Sequence, residues 1–199
     1  MSGDDGKLLL DETSNEVEKM LFRIKDFNAV YNIAEDRFKH NPTGIHVKIG
    51  LEEVKQLIDQ DLRNKNIDVN IRLAEDIPLR ITGDESIFKE VMLNILTQNI
   101  AGCFRSVLTI SVEKIKEQTL DFLKFEIENF KSDIKRDDAQ DLAELCDFVT
   151  FLDVIEAEVD INVKIAKILA DKNRWQIKFT FSRGTKFTIL IPIDETQMT

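Results

Sequence analysis

Residues 83 to 99 read GDESIFKEVMLNILTQN and hold the most informative pattern of the chain. Gly83 and Asp84 are a turn signal, and the apolar residues behind them predict a strongly apolar helix over residues 87–103. Asn94 and Gln98 lie four residues apart, so both polar side chains fall on one face of that helix. The stretch therefore predicts a turn followed by a buried helix with two polar positions.

Helical and alternating patterns continue on both sides of this stretch. Before it, the pattern predicts a strand at 45–49, a helix at 51–65 and a strand at 69–73. After it come paired strands at 107–114 and 120–128, a charged loop at 129–140, a short apolar helix or lid-like connector at 141–155, a helix at 161–172, and strands at 175–182 and 186–193. This order predicts an α+β fold in which helices cover one face of a mixed sheet.

The N-terminal part is predicted to be one amphipathic helix over residues 14–39. Its apolar residues recur at spacings of three and four: Val17, Met20, Leu21, Ile24, Phe27, Val30, Tyr31 and Ala34. The following His40-Asn41-Pro42-Thr43-Gly44 breaks the pattern, so we expect a helix and linker in residues 1–41 and a separate domain in 42–199. The apolar stripe either forms a bundle with a second copy or packs against its own domain.

Charge and cysteine content narrow the classes of partner. The formal net charge of −10 would repel a nucleic-acid backbone or an anionic membrane surface, which leaves proteins as the expected partners. We expect no membrane span and no secretory leader, because no apolar run reaches the roughly 18 residues that a span needs and the first residues lack a basic region followed by an apolar one. Cys103 and Cys146 have no CxxC partner and are expected to be buried. We expect a cytoplasmic protein, or the cytoplasmic part of a longer sensor.

Two stretches carry a resemblance to sensor histidine kinases. Residues 83–99 resemble the segment in which a Gly-Asp turn opens the helix of the N box, and residues 183–193, RGTKFTILIPI, resemble the closing strand. The helix at 14–39 is similar to the second dimerisation helix of that family. The resemblance implies the ATP-binding domain of the GHKL type, a two-layer α/β sandwich of Bergerat type with a mixed sheet and helices on one face.

The resemblance also assigns a nucleotide pocket to five positions. Asn94 and Gln98 match the N-box positions whose side-chain oxygens hold Mg²⁺, although the longer Gln98 moves that oxygen by one bond. Asn129 stands where the family has an aspartate that accepts from the adenine amino group. Gly184 and Thr185 match the final Gly-Thr turn. The implied ATP site is thus Asn94, Gln98, Asn129, Gly184 and Thr185, with Asn94 and Gln98 at the metal.

The sequence departs from the family where glycines admit the nucleotide. Lys131 and Asp133 stand at the two glycine positions of the DxGxG box, and they would put bulk and charge where the pocket needs open backbone. In place of the GLGL box the chain has Asp160-Ile161-Asn162-Val163, in which Asp160 is a helix N-cap that competes with phosphate. These replacements predict a degenerate nucleotide site.

The phosphoacceptor histidine of the family also has no counterpart. Only His40 and His46 are present, and both lie outside the predicted helices. We therefore expect a pseudo-kinase without catalytic residues or cofactor that contacts a histidine kinase, a response regulator or another signalling protein, or a second copy through residues 14–39. The alternative is a diverged histidine kinase catalytic domain of a two-component phosphorelay that binds ATP and Mg²⁺ through Asn94, Gln98 and Asn129.

Overall fold

The structure of the protein is a computed structural model. It describes residues 43–101, 103–130, 161–181 and 184–193, together with residues 13, 14, 17, 20, 21, 24, 27, 28, 31–33 and 37. In chain order the elements are β1 (Ile45–His46), α1 (Val47–Lys65), β2 (Asp68–Leu73), β3 (Arg80–Ile81), α2 (Glu85–Ala101), β4 (Val107–Glu117), β5 (Leu120–Asn129), α3 (Ile161–Lys172), β6 (Gln176–Phe181) and β7 (Thr185–Ile193).

Five strands form one mixed sheet in the order β2-β4-β5-β7-β6. β2 runs parallel to β4, and the other neighbours are antiparallel. The register places Asn129 of β5 between Leu108 of β4 and Thr185 of β7. β1 and β3 form a separate two-stranded sheet. The predicted α+β fold with a mixed sheet is confirmed, and so is the antiparallel pairing of β4 with β5.

The helix α2 occupies the centre of the core. Eleven of its side chains are buried, which explains why it is apolar nearly all round. The ring of Phe88 packs 5.6 Å from Phe125 of β5 and 6.5 Å from Trp175, so α2 contacts the inner face of the sheet. The helix begins at Glu85, two residues before the predicted start, because Asp84 Oδ1 accepts the backbone N–H groups of Ser86 and Ile87, as an N-cap does.

One predicted strand is wrong. The alternating stretch 45–49 is a strand only at Ile45–His46, and α1 begins at Val47. Val47 is buried together with Leu51, Val54 and Ile58, so the helical spacing of the apolar face extends one turn further back than predicted. The predicted connector at 141–155 and the glycine replacements Lys131, Asp133 and Asp160 lie outside the described residues.

The described residues between 13 and 33 are helical, in agreement with the predicted N-terminal helix. Its apolar stripe is exposed, since about half of each of these side chains faces solvent: Val17, Met20, Leu21, Ile24, Phe27 and Tyr31. Ile33 packs against the core. The described part of the domain therefore does not bury the stripe. Within the described residues, no helix is both long and apolar enough to cross a membrane.

Candidate functional site

The two predicted N-box positions lie on one face of α2. Asn94 is buried, and its Nδ2 donates to the backbone carbonyl of Glu90 one turn earlier, at 2.9 Å. Gln98 is half-buried, and its Oε1 accepts a hydrogen bond of 3.4 Å from Nδ2 of Asn162. Because Asn162 is in the first turn of α3, this contact links the C-terminal half of α2 to the N-terminus of α3.

Asn129 ends β5 and is completely buried, with 0% of its surface exposed. Its Nδ2 donates to Oγ of Ser106, at 3.2 Å, just before β4 begins. The amide is thus used to hold two neighbouring strands together at one end of the sheet. Hydrogen bonding is the expected condition of a buried amide, since an unpaired one costs about 1–3 kcal/mol.

Gly184 approaches the end of β5 so closely that no side chain fits. A Cβ atom on Gly184 would lie 2.2 Å from the carbonyl oxygen of Asn129 and 2.7 Å from Cα of Phe130. Its φ of +149° is also one that residues with a Cβ rarely adopt. Gly184 therefore has a structural reason to be glycine, whether or not a ligand binds.

Asn99 joins α2 to two strands, and the sequence patterns did not single it out. Its Nδ2 donates to the carbonyl of Ile127 in β5 at 3.4 Å, and its Oδ1 accepts from Oγ1 of Thr185 in β7 at 3.2 Å. All three groups are buried. A polar residue within so apolar a helix is a signal that could have identified Asn99, whereas the four-residue spacing pointed to Gln98 instead.

Three of the predicted site residues, Asn129, Gly184 and Thr185, therefore meet in a polar cluster where Asn99 of α2 reaches the end of β5 and the start of β7. Asn94 and Gln98 instead make the hydrogen bonds to Glu90 and Asn162 described above. The cluster is built from amides and hydroxyls. Among the described residues there is no group of three or more His, Cys, Asp or Glu side chains that could hold a metal ion.

The clearest charge effects lie on the opposite face of the sheet. Burial of Glu126 acts to raise its pKa, but hydrogen bonds from Lys186 (2.7 Å) and Lys124 (3.0 Å) outweigh it and lower the pKa. The pKa of Lys186 is raised mainly by Glu126, and that of Lys124 mainly by Glu113 of β4. These ion pairs join β4, β5 and β7 and supply no acid or base to the polar cluster.

A cleft of about 440 Å³ opens at the same end of the sheet, and we call it the sheet-end cleft. Its lining residues are Asn66, Asp68, Arg105, Ser106, Val107 and Phe130. Phe130, which follows the end of β5, is exposed and lines this cleft. Ser106 belongs to both features, because it lines the cleft and accepts the hydrogen bond from Asn129.

Solved structures of histidine kinases share this fold. The Acinetobacter baumannii histidine kinase AdeS matches with a TM-score of 0.67 over 94% of this chain and 85% of its own, at 15% identity. Histidine kinase ThkA in complex with the response regulator protein TrrA matches with a TM-score of 0.59 over 94% of this chain and 52% of its own, at 20% identity. Full-length ShkA in complex with AMPPNP matches with a TM-score of 0.67 over 97% of this chain and 40% of its own, at 12% identity.

These likenesses establish the fold, and sequence comparison adds nothing to them. No protein-family model matches the chain, and no curated protein matches its sequence. The architecture of a histidine kinase catalytic domain is thus recovered at an identity of 20% or less to the three structures above.

Proposed function

We propose that this chain, folded as a histidine kinase catalytic domain, is a pseudo-kinase signalling module that does not hold ATP and acts through contacts with other proteins. The observation that carries the proposal is the hydrogen bond between Gln98 and Asn162. It joins the ends of α2 and α3, and the resemblance places the metal and the phosphates between those two helix ends. A nucleotide would have to break this contact to enter.

The adenine side of the implied pocket supports the same proposal. Recognition of a base requires a polar group that the base can reach, but Asn129 is completely buried, and the hydrogen bond from its Nδ2 to Oγ of Ser106 holds the side chain in that position. Withdrawing that amide toward a ligand would leave the hydroxyl of Ser106 without this donor. Such a rearrangement costs part of the binding energy that a nucleotide could provide.

The metal side is equally unfavourable. Mg²⁺ requires nearly ideal octahedral geometry from its oxygen ligands. The oxygen of Gln98 already accepts from Asn162, and the bond from Nδ2 of Asn94 to the carbonyl of Glu90 fixes the direction of that amide within its own helix. We infer that Asn94 and Gln98 serve helix packing rather than metal binding.

A thermal shift titration with ATP and Mg²⁺ tests this proposal. A ligand present at about 100 times its dissociation constant stabilises a protein by about 2.7 kcal/mol. In a domain of this size that corresponds to a rise in melting temperature of roughly 5–10 °C. We expect no saturable rise at about 1 mM ATP. A rise that saturates with ATP and requires Mg²⁺ would overturn the proposal.

The alternative is a diverged histidine kinase catalytic domain that still binds ATP. Asn94, Gly184 and Thr185 match the family, and Gly184 and Thr185 lie beside Asn129 at one end of the sheet. ShkA, which shares the fold, has been solved with AMPPNP. If the alternative holds, ATP raises the melting temperature of the wild type, and Asn94→Ala abolishes that rise. Under our proposal neither protein responds.

The partner of the module is proposed to be a signalling protein or a second copy. ThkA, which shares the fold, forms a complex with a response regulator. In this chain the exposed residues Val17, Met20, Ile24, Phe27 and Tyr31 alternate at spacings of three and four, which is the seam of a two-helix coiled coil.

Light scattering tests the second-copy arrangement. We expect a dimer of the full chain and a monomer for the double variant Ile24→Glu, Phe27→Glu, because two charges in the seam would be buried without partners. If the wild-type chain is a monomer at all concentrations, the homodimer is contradicted, and a contact with another signalling protein is the arrangement that remains.

A further inference from the structure

The five-stranded sheet ends at β6, whose second side is open within the described part of the chain. β6 pairs antiparallel with β7 over Gln176–Phe181, and it is the last strand in the order of the sheet. Every second residue of such a strand directs its backbone N–H and C=O away from the single neighbour. We call this free side of residues 176–181 the β6 edge. A row of unpaired backbone groups of this kind is a template for a strand from another chain.

The side chains of β6 form two rows beside this edge. The exposed row is polar and consists of Gln176, Lys178 and Thr180. In the other row Ile177 and Phe179 are buried, and Phe181 at its end is 38% exposed. Side chains of adjacent strands line up on the same face, so a strand added at the edge would lie beside polar groups on one face and beside apolar groups on the other. The two rows therefore fit a strand in which polar and apolar residues alternate.

The charge along the β6 edge is positive. Lys178 in the middle of β6 and Arg174 two residues before the strand are exposed, and neither forms an ion pair within the described residues. On the neighbouring strand β7, Lys186 is bonded to Glu126 and Glu128 of β5, so these two acids are already paired. Residues 161–193 contain seven lysine or arginine residues and one acidic residue, although the whole chain carries −10. Acidic residues in the polar row of an added strand would therefore be favoured, because opposite charges on adjacent strands attract.

Charge also argues against a second copy of the chain at this edge. If two β6 edges paired antiparallel about their middle, with the helices of both copies on one face, Lys178 would lie opposite Lys178 of the second copy. Like charges directly opposite each other destabilise a pair of strands. An exposed lysine in an edge strand is a common means of preventing such self-pairing. The same lysine leaves the edge open to a strand of opposite charge.

We propose that the β6 edge binds an extended segment of a partner protein in which acidic residues alternate with apolar ones. Backbone hydrogen bonds from β6 hold the segment as a sixth strand of the sheet, and one of its carboxylates lies opposite Lys178. Its apolar side chains cover Phe181 and continue the layer of Ile177 and Phe179, while Arg174 adds a second positive charge at the start of β6. The inference rests on the proposed function, because it names the surface through which the module contacts another protein.

Amide resonances of the full chain, followed by NMR during peptide addition, test this docking. The probe is the capped peptide Gly-Glu-Val-Glu-Val-Glu-Gly. One control peptide has lysine in place of the three glutamates, and a second has proline in place of the two valines, which keeps the charge and removes backbone donors. We expect saturable shifts and slowed amide exchange at residues 176–181 with the probe, and binding at least about tenfold weaker with either control.

Four results would overturn the inference. They are the lack of a saturable shift with the probe, binding of either control as tight as that of the probe, shifts confined to residues outside 176–181, and shifts at 176–181 that depend on protein concentration in the absence of peptide. The last result would mean that the edge binds a second copy.

An exposed substitution separates docking from folding. Lys178→Glu reverses the charge in the middle of the edge at a position that faces solvent. We expect this variant to bind the probe about threefold to tenfold more weakly than the wild type does, and to bind the lysine peptide more tightly. Misfolding would not produce that gain. Lys116→Glu is the matched control, since it changes the net charge equally at an exposed position in β4 and should leave both affinities unchanged. Equal effects of the two variants would contradict the pairing with Lys178.

Addition of ATP and Mg²⁺ to the same samples keeps the two proposals apart. Shifts at Gln98 and Asn129 with ATP would overturn the loss of nucleotide binding and leave the result at the β6 edge standing. A failure of the probe peptide without any ATP response would remove the docking surface alone.

Discussion

Gly184→Ala tests whether this glycine is kept for the fold. The added methyl group would lie 2.2 Å from the carbonyl oxygen of Asn129 and 2.7 Å from Cα of Phe130. Both neighbours are backbone atoms, which cannot turn away as the end of a side chain can. The residue would also have to keep a φ of +149°. The chain must therefore separate β7 from the end of β5 or distort one of them.

The two effects have known sizes. Overpacking in a tight site costs about 1–3 kcal/mol, and a backbone conformation reserved for glycine costs about 1–3 kcal/mol. Together they predict a loss of about 4 kcal/mol from the free energy of unfolding. That is a large share of the roughly 5–15 kcal/mol that stabilises a typical protein. With a urea dependence of about 2 kcal/mol/M, the unfolding midpoint should fall by about 2 M.

Urea unfolding measures this loss, and Gly50→Ala is the matched control. Gly50 lies within the helix α1, where alanine is favoured over glycine by about 1 kcal/mol. Its added methyl would lie 2.9 Å from a ring carbon of Phe88, which is a side-chain atom. We expect a loss below about 2 kcal/mol there, because gain and crowding partly offset each other. A loss below about 1 kcal/mol for Gly184→Ala, or one no larger than that of Gly50→Ala, would refute the reasoning.

Three further substitutions probe the polar cluster and the sheet. Thr185→Val removes the donor to Asn99 and should lower the free energy of unfolding, measured in urea, by about 1–3 kcal/mol. Thr188→Val, on the more exposed face of the same strand, should lower it by less than about 1 kcal/mol. Equal losses would contradict the role of Asn99. Asn129→Asp buries a carboxyl group whose pKa is raised by burial. Unfolding measured against pH should therefore show the smallest loss of stability below about pH 4 and the largest at neutral pH. A loss of stability that does not depend on pH would contradict this expectation. Glu126 has a lowered pKa in the folded protein, so its contribution of about 1 kcal/mol or less is present above the ordinary glutamate pKa of about 4.3 and lost as the pH falls below it. Glu126→Gln should therefore narrow the stability difference between pH 6 and pH 3, roughly by that amount, and an unchanged difference would argue against the ion pairs with the two lysines.

The helix α2 and the strand β7 could be predicted from the sequence because their signals are local. Asp84 caps the helix it precedes, and the buried residues of that helix extend from Ile87 to Ile100. β7 alternates, and it begins at Thr185, directly after a glycine that its neighbours require. Both elements lie within two residues of their predicted bounds, and they fix the centre of the core.

The remaining features depend on contacts between distant parts of the chain. Asn99 and Thr185 are 86 residues apart, so no local pattern joins them. The sheet-end cleft needs the parallel pairing of β2 with β4, which brings Asp68 beside Val107. Residues 45–49 are too few to distinguish the alternation of a strand from the spacing of a helix. Val47 is buried on the same face of α1 as Leu51 and Val54, so most of this stretch is helical.

We propose that this chain keeps the fold of a histidine kinase catalytic domain but does not bind the nucleotide. Isothermal titration calorimetry of the full chain with ATP, in the presence and absence of Mg²⁺, measures this directly. We expect no saturable heat at ATP concentrations up to about 1 mM, which corresponds to a binding free energy weaker than about −4 kcal/mol. A one-site isotherm in the micromolar range that requires Mg²⁺, and that Asn94→Ala abolishes, would contradict the account.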